Sequence, residues 1–281
     1  MSSHEPVGLL VGGGLLPRRV MEALHANGRA VFAIGINGEV SDEIASDMDN
    51  WIDIGHLQRA RDLMRAAGVR EFVCIGGVQR PDLGGMQFDE GGMWFVQRVQ
   101  KHVARGDDVL LRVLLEYFEQ QGFEILSAGD LLPPQRDLNG VLTHATATAH
   151  SDDVARAIEV ARHIGALDIG QAVVVARGVI LAVEGPEGTD AMLSRVAGLS
   201  LGIRGSANDK SGVLAKCPKP QQDRRVDLPA LGPQTIQGAI NAGLAGIVFE
   251  PGGVLIEALD TCIELANREG IFLLGLSPEE A

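Results

Sequence analysis

Apolar residues along this chain fall into short blocks, and the spacing of the blocks predicts most of its elements. Val7–Val11 is an unbroken apolar run of the kind a buried strand shows, and Gly12, Gly13 and Gly14 follow it. Pro17 suits the first turn of a helix, where its missing N–H leaves no bond unmade, and that helix should run to about Asn27 and stop at Gly28. Residues 30–36 predict a second strand, 58–67 a short amphipathic helix ended by Gly68, and Glu71–Ile75 a third strand. From Asp107 the apolar residues Val109, Leu110, Val113, Leu114 and Phe118 recur at helical spacing as far as Gly122, and 123–127 returns as a strand. Strands alternating with helices imply a parallel sheet covered on both faces. Residues 1–132 therefore read as a Rossmann-like domain with a mostly parallel sheet.

Near residue 128 the pattern changes. Pro133, Pro134, Asn139, Gly140 and a run of Thr, His and Ala hold no sustained period, and 133–150 reads as a linker. Ser151, with Asp152 and Asp153 behind it, starts a helix that runs to about Ile164. Ala172–Ala176 and Val179–Val183, separated by Arg177-Gly178, predict a hairpin. Next come a helix from Thr189, a strand at Val213–Lys216 and a helix from about Thr235. A strand at Gly246–Phe249, a helix from Asp260 and a strand over 271–274 complete a mixed α/β domain over 151–281.

Composition narrows the function. Of 281 residues 24 are basic and 37 acidic, a balance of −13 that suits no general binder of phosphate backbones, so nucleic acid is not an expected partner. A small, locally basic site could still take an anion. Cys74, Cys217 and Cys262 cannot all pair and none has CxxC spacing, which points to a reducing compartment and away from a disulfide scaffold or structural zinc. The opening MSSHEPVGLLVGGG lacks the basic and long apolar regions of a signal peptide. No run approaches the roughly 18 apolar residues of a membrane span, and a cytoplasmic protein is expected.

Five segments carry residue types that fit an anionic ligand. Gly12, Gly13 and Gly14 stand between a strand and a helix N-terminus, where free N–H groups suit a phosphate. As a dinucleotide fingerprint they match poorly, because Pro17 stands where the third glycine belongs and no acid ends the second strand. Gly76 and Gly77, with Gln79 and Arg80, follow the third strand and would offer amide and guanidinium donors at its carboxyl end. Asp107 and Asp108 read first as a helix cap, although adjacent carboxylates also suit magnesium. In Glu187-Gly188-Thr189-Asp190, Thr189 can cap a helix beside two carboxylates, an arrangement for a phosphate with a divalent cation. Lys216 to Arg225 reads KCPKPQQDRR, in which Lys216, Lys219, Arg224 and Arg225 outweigh Asp223 to give +3. Asp227 follows; a carboxylate beside cations stays ionised and could ligate a divalent cation or take a proton from an attacking water.

Each segment also has a plain reading as a turn, a cap or a solvated loop; chemistry outweighs it at the two glycine turns and at the basic loop before Asp227, capping outweighs chemistry at Asp107 and Asp108, and the two readings balance at residues 187–190. The seven histidines form no HxH or HExxH spacing, and neither a G-x-S-x-G elbow nor a P-loop occurs. Met86, Phe88, Met93, Trp94 and Phe95 cluster in a chain with 4% aromatic residues, which reads as core, with lipid contact as the alternative.

Several motifs in order point further. They are Gly12-Gly13-Gly14-Leu15-Leu16-Pro17, Ala104-Arg105-Gly106-Asp107-Asp108, Asp168-Ile169-Gly170-Gln171, and Val183-Glu184 with Glu187-Gly188-Thr189-Asp190-Ala191-Met192. Val213-Leu214-Ala215-Lys216 with Pro218-Lys219-Pro220, and Arg225-Val226-Asp227-Leu228-Pro229, complete the set. Together they resemble the LpxI-type UDP-2,3-diacylglucosamine pyrophosphatases of Gram-negative lipid A biosynthesis, over nearly the whole chain. The resemblance implies a Mg2+-dependent hydrolase that splits UDP-2,3-diacylglucosamine into UMP and 2,3-diacylglucosamine 1-phosphate, with two domains and the substrate between them. It implies a catalytic Asp227, as metal ligand or as general base. Glu187, Asp190, Asp107 and Asp108 are then the further candidate ligands, and Lys216 and Lys219 hold phosphate oxygens. The glycine loops, Gly12 to Gly14, Gly76, Gly77 and Gly188 with Gln79, Arg80 and Thr189, take the nucleotide or sugar phosphate. Such a lipid-linked nucleotide-sugar substrate is compatible with peripheral contact at the inner membrane and with a homo-oligomer.

Two other classes compete. A non-catalytic nucleotide-sugar or lipid-binding regulator with the same pocket would bind without turnover. An NAD-dependent oxidoreductase rests on the Rossmann-like pattern alone, and Pro17 counts against it.

Overall fold

The computed structural model describes residues 5–14, 16–78, 85–100, 108–133, 137–220, 222 and 229–277, with Asp108 and Val109 described by backbone only. The described residues fall into two compact units, 5–133 and 137–277. In the first, β1 (Val7–Val11), β2 (Val31–Ile36), β3 (Asn50–Ile52), β4 (Glu71–Ile75) and β5 (Glu124–Ile125) form one sheet. Its order is β3-β2-β1-β4-β5 and every pair is parallel. Five helices accompany it: α1 (Leu16–Ala26), α2 (Leu57–Ala66), α3 (Glu90–Val99), α4 (Asp108–Gln120) and α5 (Ala128–Leu131). Leu10, Ile34, Phe72 and Cys74 point to one face, where Met64, Trp94, Leu115 and Phe118 cover them. The opposite parity, Leu9, Val11, Ala33 and Val73, is equally buried, as a doubly covered sheet requires.

Helix α3 replaces what the sequence showed only as an aromatic cluster. Asp89 caps it by accepting from Gly92 N at 2.8 Å. Gly91 and Gly92 break the apolar period because the helix runs against another backbone; a Cβ on Gly92 would stand 2.0 Å from Gly55 O. Trp94 and Phe95 pack on the core, with Arg98 stacked 3.7 Å over the Trp94 ring, while Met93 stays 45% exposed.

The second unit holds β6 (Gly140–Val141), β7 (Ala172–Ala176), β8 (Val179–Val183), β9 (Val213–Lys216), β11 (Gly246–Phe249) and β13 (Phe272–Gly275) in one sheet. The order is β6-β13-β11-β9-β7-β8, with β9, β11 and β13 parallel and each of the other three antiparallel to its neighbour. β10 (Ala230–Leu231) and β12 (Leu255–Ile256) form a separate parallel pair. α6 (Ser151–Ala166) covers one face, its Val154, Ala157, Ile158 and Ala161 meeting Val173, Val175, Val213 and Val248. α7 (Gly188–Ala197), α8 (Pro233–Asn241) and α9 (Leu259–Glu269) cover the other. The stretch expected to link the domains supplies the edge strand β6, and Leu142 N donates to Leu273 O at 2.9 Å. A two-residue strand carries too little pattern to be seen in the sequence.

The hairpin between β7 and β8 turns through Arg177 (φ 52°) and Gly178 (φ 76°), both left-handed, the type I′ geometry that matches strand twist. Asp153, expected to serve the α6 dipole, instead clamps this turn: its carboxylate accepts from Arg177 N at 2.9 Å and Gly178 N at 2.7 Å. Asp153→Ala strands two partly buried donors and should cost about 2–3 kcal/mol. A thermal melt lowered by roughly 5–10 °C is the expected result, and an unchanged melt would remove the clamp.

Cys74, Cys217 and Cys262 are free and buried, and burial pushes each thiol up to about 12. An unfolded chain ionises its thiols near pH 8.5. The folded values lie above that, so the thiols' contribution is fully present below about pH 8.5 and is lost as pH rises. Melting temperature should therefore fall between pH 8.5 and 10, by up to about 1.4 kcal/mol of stability per pH unit per thiol. Replacing the three cysteines with alanine should flatten that slope.

Candidate functional site

The two glycine turns of the first unit lie side by side at the carboxyl ends of β1 and β4. Those strands flank the point where the sheet order reverses, the usual ligand position in an open parallel sheet. Gly12 N donates to Ile75 O at 2.8 Å, and Gly13 and Gly77 exchange N–H bonds with each other's carbonyls at 2.7 and 3.0 Å. A Cβ on Gly12 would stand 2.4 Å from Gly77 O, and one on Gly76 2.6 Å from Gly13 O. Close passage of two backbones therefore explains these glycines, and three N–H groups of the expected anion-binding turns, those of Gly12, Gly13 and Gly77, are used within the fold. Gly14 (φ +92°) and Gly77 differ, since a Cβ on either meets no heavy atom within 4 Å. Gln79 and Arg80 lie outside the described residues.

In the second unit the register sets Ala172, Lys216, Phe249 and Gly275 in one row, so β9, β11 and β13 end together. Lys216 shares the parity of Leu214 and points to the face covered by α7, α8 and α9. It is only 5% exposed, and its Nζ donates to Thr189 Oγ1 at 2.9 Å and Ala230 O at 2.7 Å. The Thr189 hydroxyl donates to Glu184 Oε1 at 2.6 Å, and Glu184 Oε2 accepts from Gln171 N at 2.8 Å. Glu184 and Thr189 are buried as well. An ammonium removed from water costs several kcal/mol unless acceptors surround it. Here a hydroxyl, a carbonyl and, through the hydroxyl, a carboxylate do so.

A second polar group lies beside the end of α6, where Gly165 packs against Lys219. Lys219 Nζ bonds Asp168 Oδ1 at 2.7 Å, and Asp168 holds a left-handed φ of 56°, uncommon outside glycine. Gln222 Oε1 accepts from Lys219 N at 3.2 Å. Gln222 Nε2 and Gln171 Oε1 are buried with no hydrogen-bond partner among the described residues.

The expected site residues are thus partly assembled. Lys216 and Thr189 meet directly. Thr189 does not cap its helix: α7 begins at Gly188, and the hydroxyl turns inward to Glu184 because a buried acid there needs a donor. Glu187 pairs with Arg195 at 2.5 Å, and its own backbone N–H, with Arg195, holds its carboxyl below the ordinary range. Asp190 is exposed, with Thr235 Oγ1 3.5 Å from its Oδ1. Asp107 and Asp227 lie outside the described residues, and Asp108 is placed only as the first residue of α4. Sequence reasoning gave no role to Glu184, Gln171 or Asp168, although each stands in a motif quoted above. A glutamate after a strand looks like any solvated acid until the register brings it to Thr189.

Among the described residues no three His, Cys, Asp or Glu side chains gather as a metal-binding set. Magnesium asks for less, one or two carboxylates with phosphate and water completing its octahedron. Asp190, exposed in the first turn of α7, fits one such place, and Glu187, tied to Arg195, fits it less well. No helix among the described residues is long and apolar enough to cross a membrane.

Comparison with known proteins agrees with the two-unit layout. Residues 6–135 match the LpxI N-terminal domain and residues 138–274 the LpxI C-terminal domain. Over 278 residues, 98% of this chain and 98% of the other, the sequence is 41% identical to a Caulobacter vibrioides protein named UDP-2,3-diacylglucosamine pyrophosphatase LpxI. With both domains matched in order and that identity held along almost its whole length, the chain belongs to the LpxI family.

Proposed function

We propose that this chain hydrolyses the pyrophosphate bond of UDP-2,3-diacylglucosamine, releasing UMP and 2,3-diacylglucosamine 1-phosphate for lipid A biosynthesis. The observation that carries the reading is the 41% identity, spread over 98% of both chains, to a relative named for that activity. Two cations held by polar partners, Lys216 buried at the carboxyl end of β9 and Lys219 half-buried just beyond it, support it, since a diphosphate needs fixed positive charge as its bridging bond breaks.

Bound Mg2+ would withdraw charge from the diphosphate and acidify an attacking water. Asp227 and Asp190 are the carboxylates assigned to it, with Glu187, Asp107 and Asp108 as further ligands. Asp227 acts either there or as the base that takes the water's proton. Lys216 supplies charge to the phosphate oxygens from a position already ordered by Thr189 and Ala230, so little reorganisation accompanies the reaction. Ala230 follows Asp227 by three residues, so the ammonium is anchored to the segment next to the aspartate in sequence. Lys219 adds a second cation. The glycine turns, with Gln79, Arg80 and Gly188, take the nucleotide or sugar phosphate, Gly14 and Gly77 are the turn positions with room for it, and the buried Thr189 serves through Lys216. A cytoplasmic enzyme of this kind, monomer or homo-oligomer, meets its acylated substrate at the inner-membrane surface.

Chromatography of a reaction with purified chain, UDP-2,3-diacylglucosamine and Mg2+ tests the reading. UMP should accumulate over many turnovers and stop when EDTA is added. Tight binding without UMP would replace the hydrolase by the regulator.

A further inference from the structure

We infer that Glu184 is a positioning residue for Lys216 and acts through the Thr189 hydroxyl; the inference rests on the hydrolase reading. A hydroxyl has a single hydrogen. Lys216 can only donate and an ionised Glu184 can only accept, so the Thr189 hydrogen must point to Glu184 Oε1 and a lone pair to Lys216 Nζ. The distances, 2.6 and 2.9 Å, are those of two made bonds. Glu184 is itself fixed from both ends. Its N–H donates to Ala172 O at 2.9 Å, continuing the β7–β8 ladder, and its Oε2 accepts from Gln171 N at 2.8 Å. Gly170 makes that approach feasible, because a Cβ there would stand 2.2 Å from Glu184 O. A directional chain therefore runs from the strand register through the acid and the hydroxyl to the ammonium.

A neutral amide at 184 breaks the chain. If its oxygen accepts from Thr189, its NH2 faces the Gln171 N–H; if it turns over, the Thr189 hydrogen loses its acceptor. In the first case the side chain loses the Gln171 bond that fixes it, and in the second the hydroxyl loses the bond that orients it, so neither arrangement holds Thr189 toward Lys216 as the carboxylate does. A displacement of about 1 Å at a group that stabilises a transition state can cost about 100-fold in rate.

Steady-state kinetics on the full chain, taken well below the melting temperature of each variant, test this. Glu184→Gln and Thr189→Val should each lower kcat by about 10- to 100-fold with KM nearly unchanged. The double variant should fall no further than the worse single one, within about twofold. Thr189→Ser, which restores the hydroxyl, should recover at least tenfold of the turnover lost in Thr189→Val. A near-wild-type kcat in Glu184→Gln, or losses that multiply in the double variant, would overturn the inference while the hydrolase reading stands. Failure of the wild-type chain to release UMP would instead overturn the reading beneath it. Should Glu184→Gln not fold, the Thr189 pair decides, and equal turnover in the serine and valine variants is the contrary result.

Discussion

Replacing Asp227 with alanine is expected to lower UMP release by about 100- to 10,000-fold, the span commonly lost with a general acid or base. The variant should still melt like the wild-type chain. The expectation comes from the family resemblance, with which the local charge and the absence of other nucleophile motifs agree. Asp227 comes two residues after a ten-residue window of net charge +3 in a chain of −13, a setting that favours an ionised carboxylate. Serine-elbow, P-loop and zinc-protease spacings are all absent from the sequence, which leaves a carboxylate acting on water as the economical route. Turnover near the wild-type rate would remove Asp227 from the mechanism, either as ligand or as base.

Lys216→Met should damage both stability and turnover, and the two losses have separable causes. Glu184, Thr189 and Lys216 form one buried hydrogen-bonded set, and removing the cation from such a set typically costs about 3–5 kcal/mol. That corresponds to a melting temperature lower by roughly 10–15 °C. Turnover falls because the phosphate oxygens lose a fixed cation. Adding Glu184→Met to Lys216→Met should return much of the stability, since paired buried charges can often be exchanged for apolar side chains of similar volume. It should return none of the activity. Recovery of turnover in the double variant would mean that Lys216 serves the fold alone.

Strands of five mostly apolar residues were legible in the sequence. Val7–Val11, Glu71–Ile75 and the hairpin strands Ala172–Ala176 and Val179–Val183 are observed at their expected bounds. Of the strands of two or three residues, β5 lies within the expected 123–127, whereas β3, β6, β10 and β12 were not legible, because their pairing depends on long-range partners instead of local period. Helix α3 was hidden by Gly91 and Gly92, whose presence makes sense only against Gly55. The site followed the same division. Lys216 and Thr189 could be picked out by residue type beside a loop, whereas Glu184 and Gln171 gain meaning only once β7, β8 and β9 are in register. Gly12 was noticed for a sound reason, a glycine after a strand, yet its missing Cβ makes room for Gly77 O, and its N–H is bonded to Ile75.

Phosphorus-31 NMR of UDP-2,3-diacylglucosamine incubated with the wild-type chain and Mg2+ tests the central claim most directly. The account predicts that the two coupled diphosphate resonances disappear together and that two phosphomonoester resonances, one from UMP and one from the acylated sugar 1-phosphate, grow in equal amounts. Diphosphate resonances that persist through prolonged incubation with folded, substrate-binding protein would contradict it.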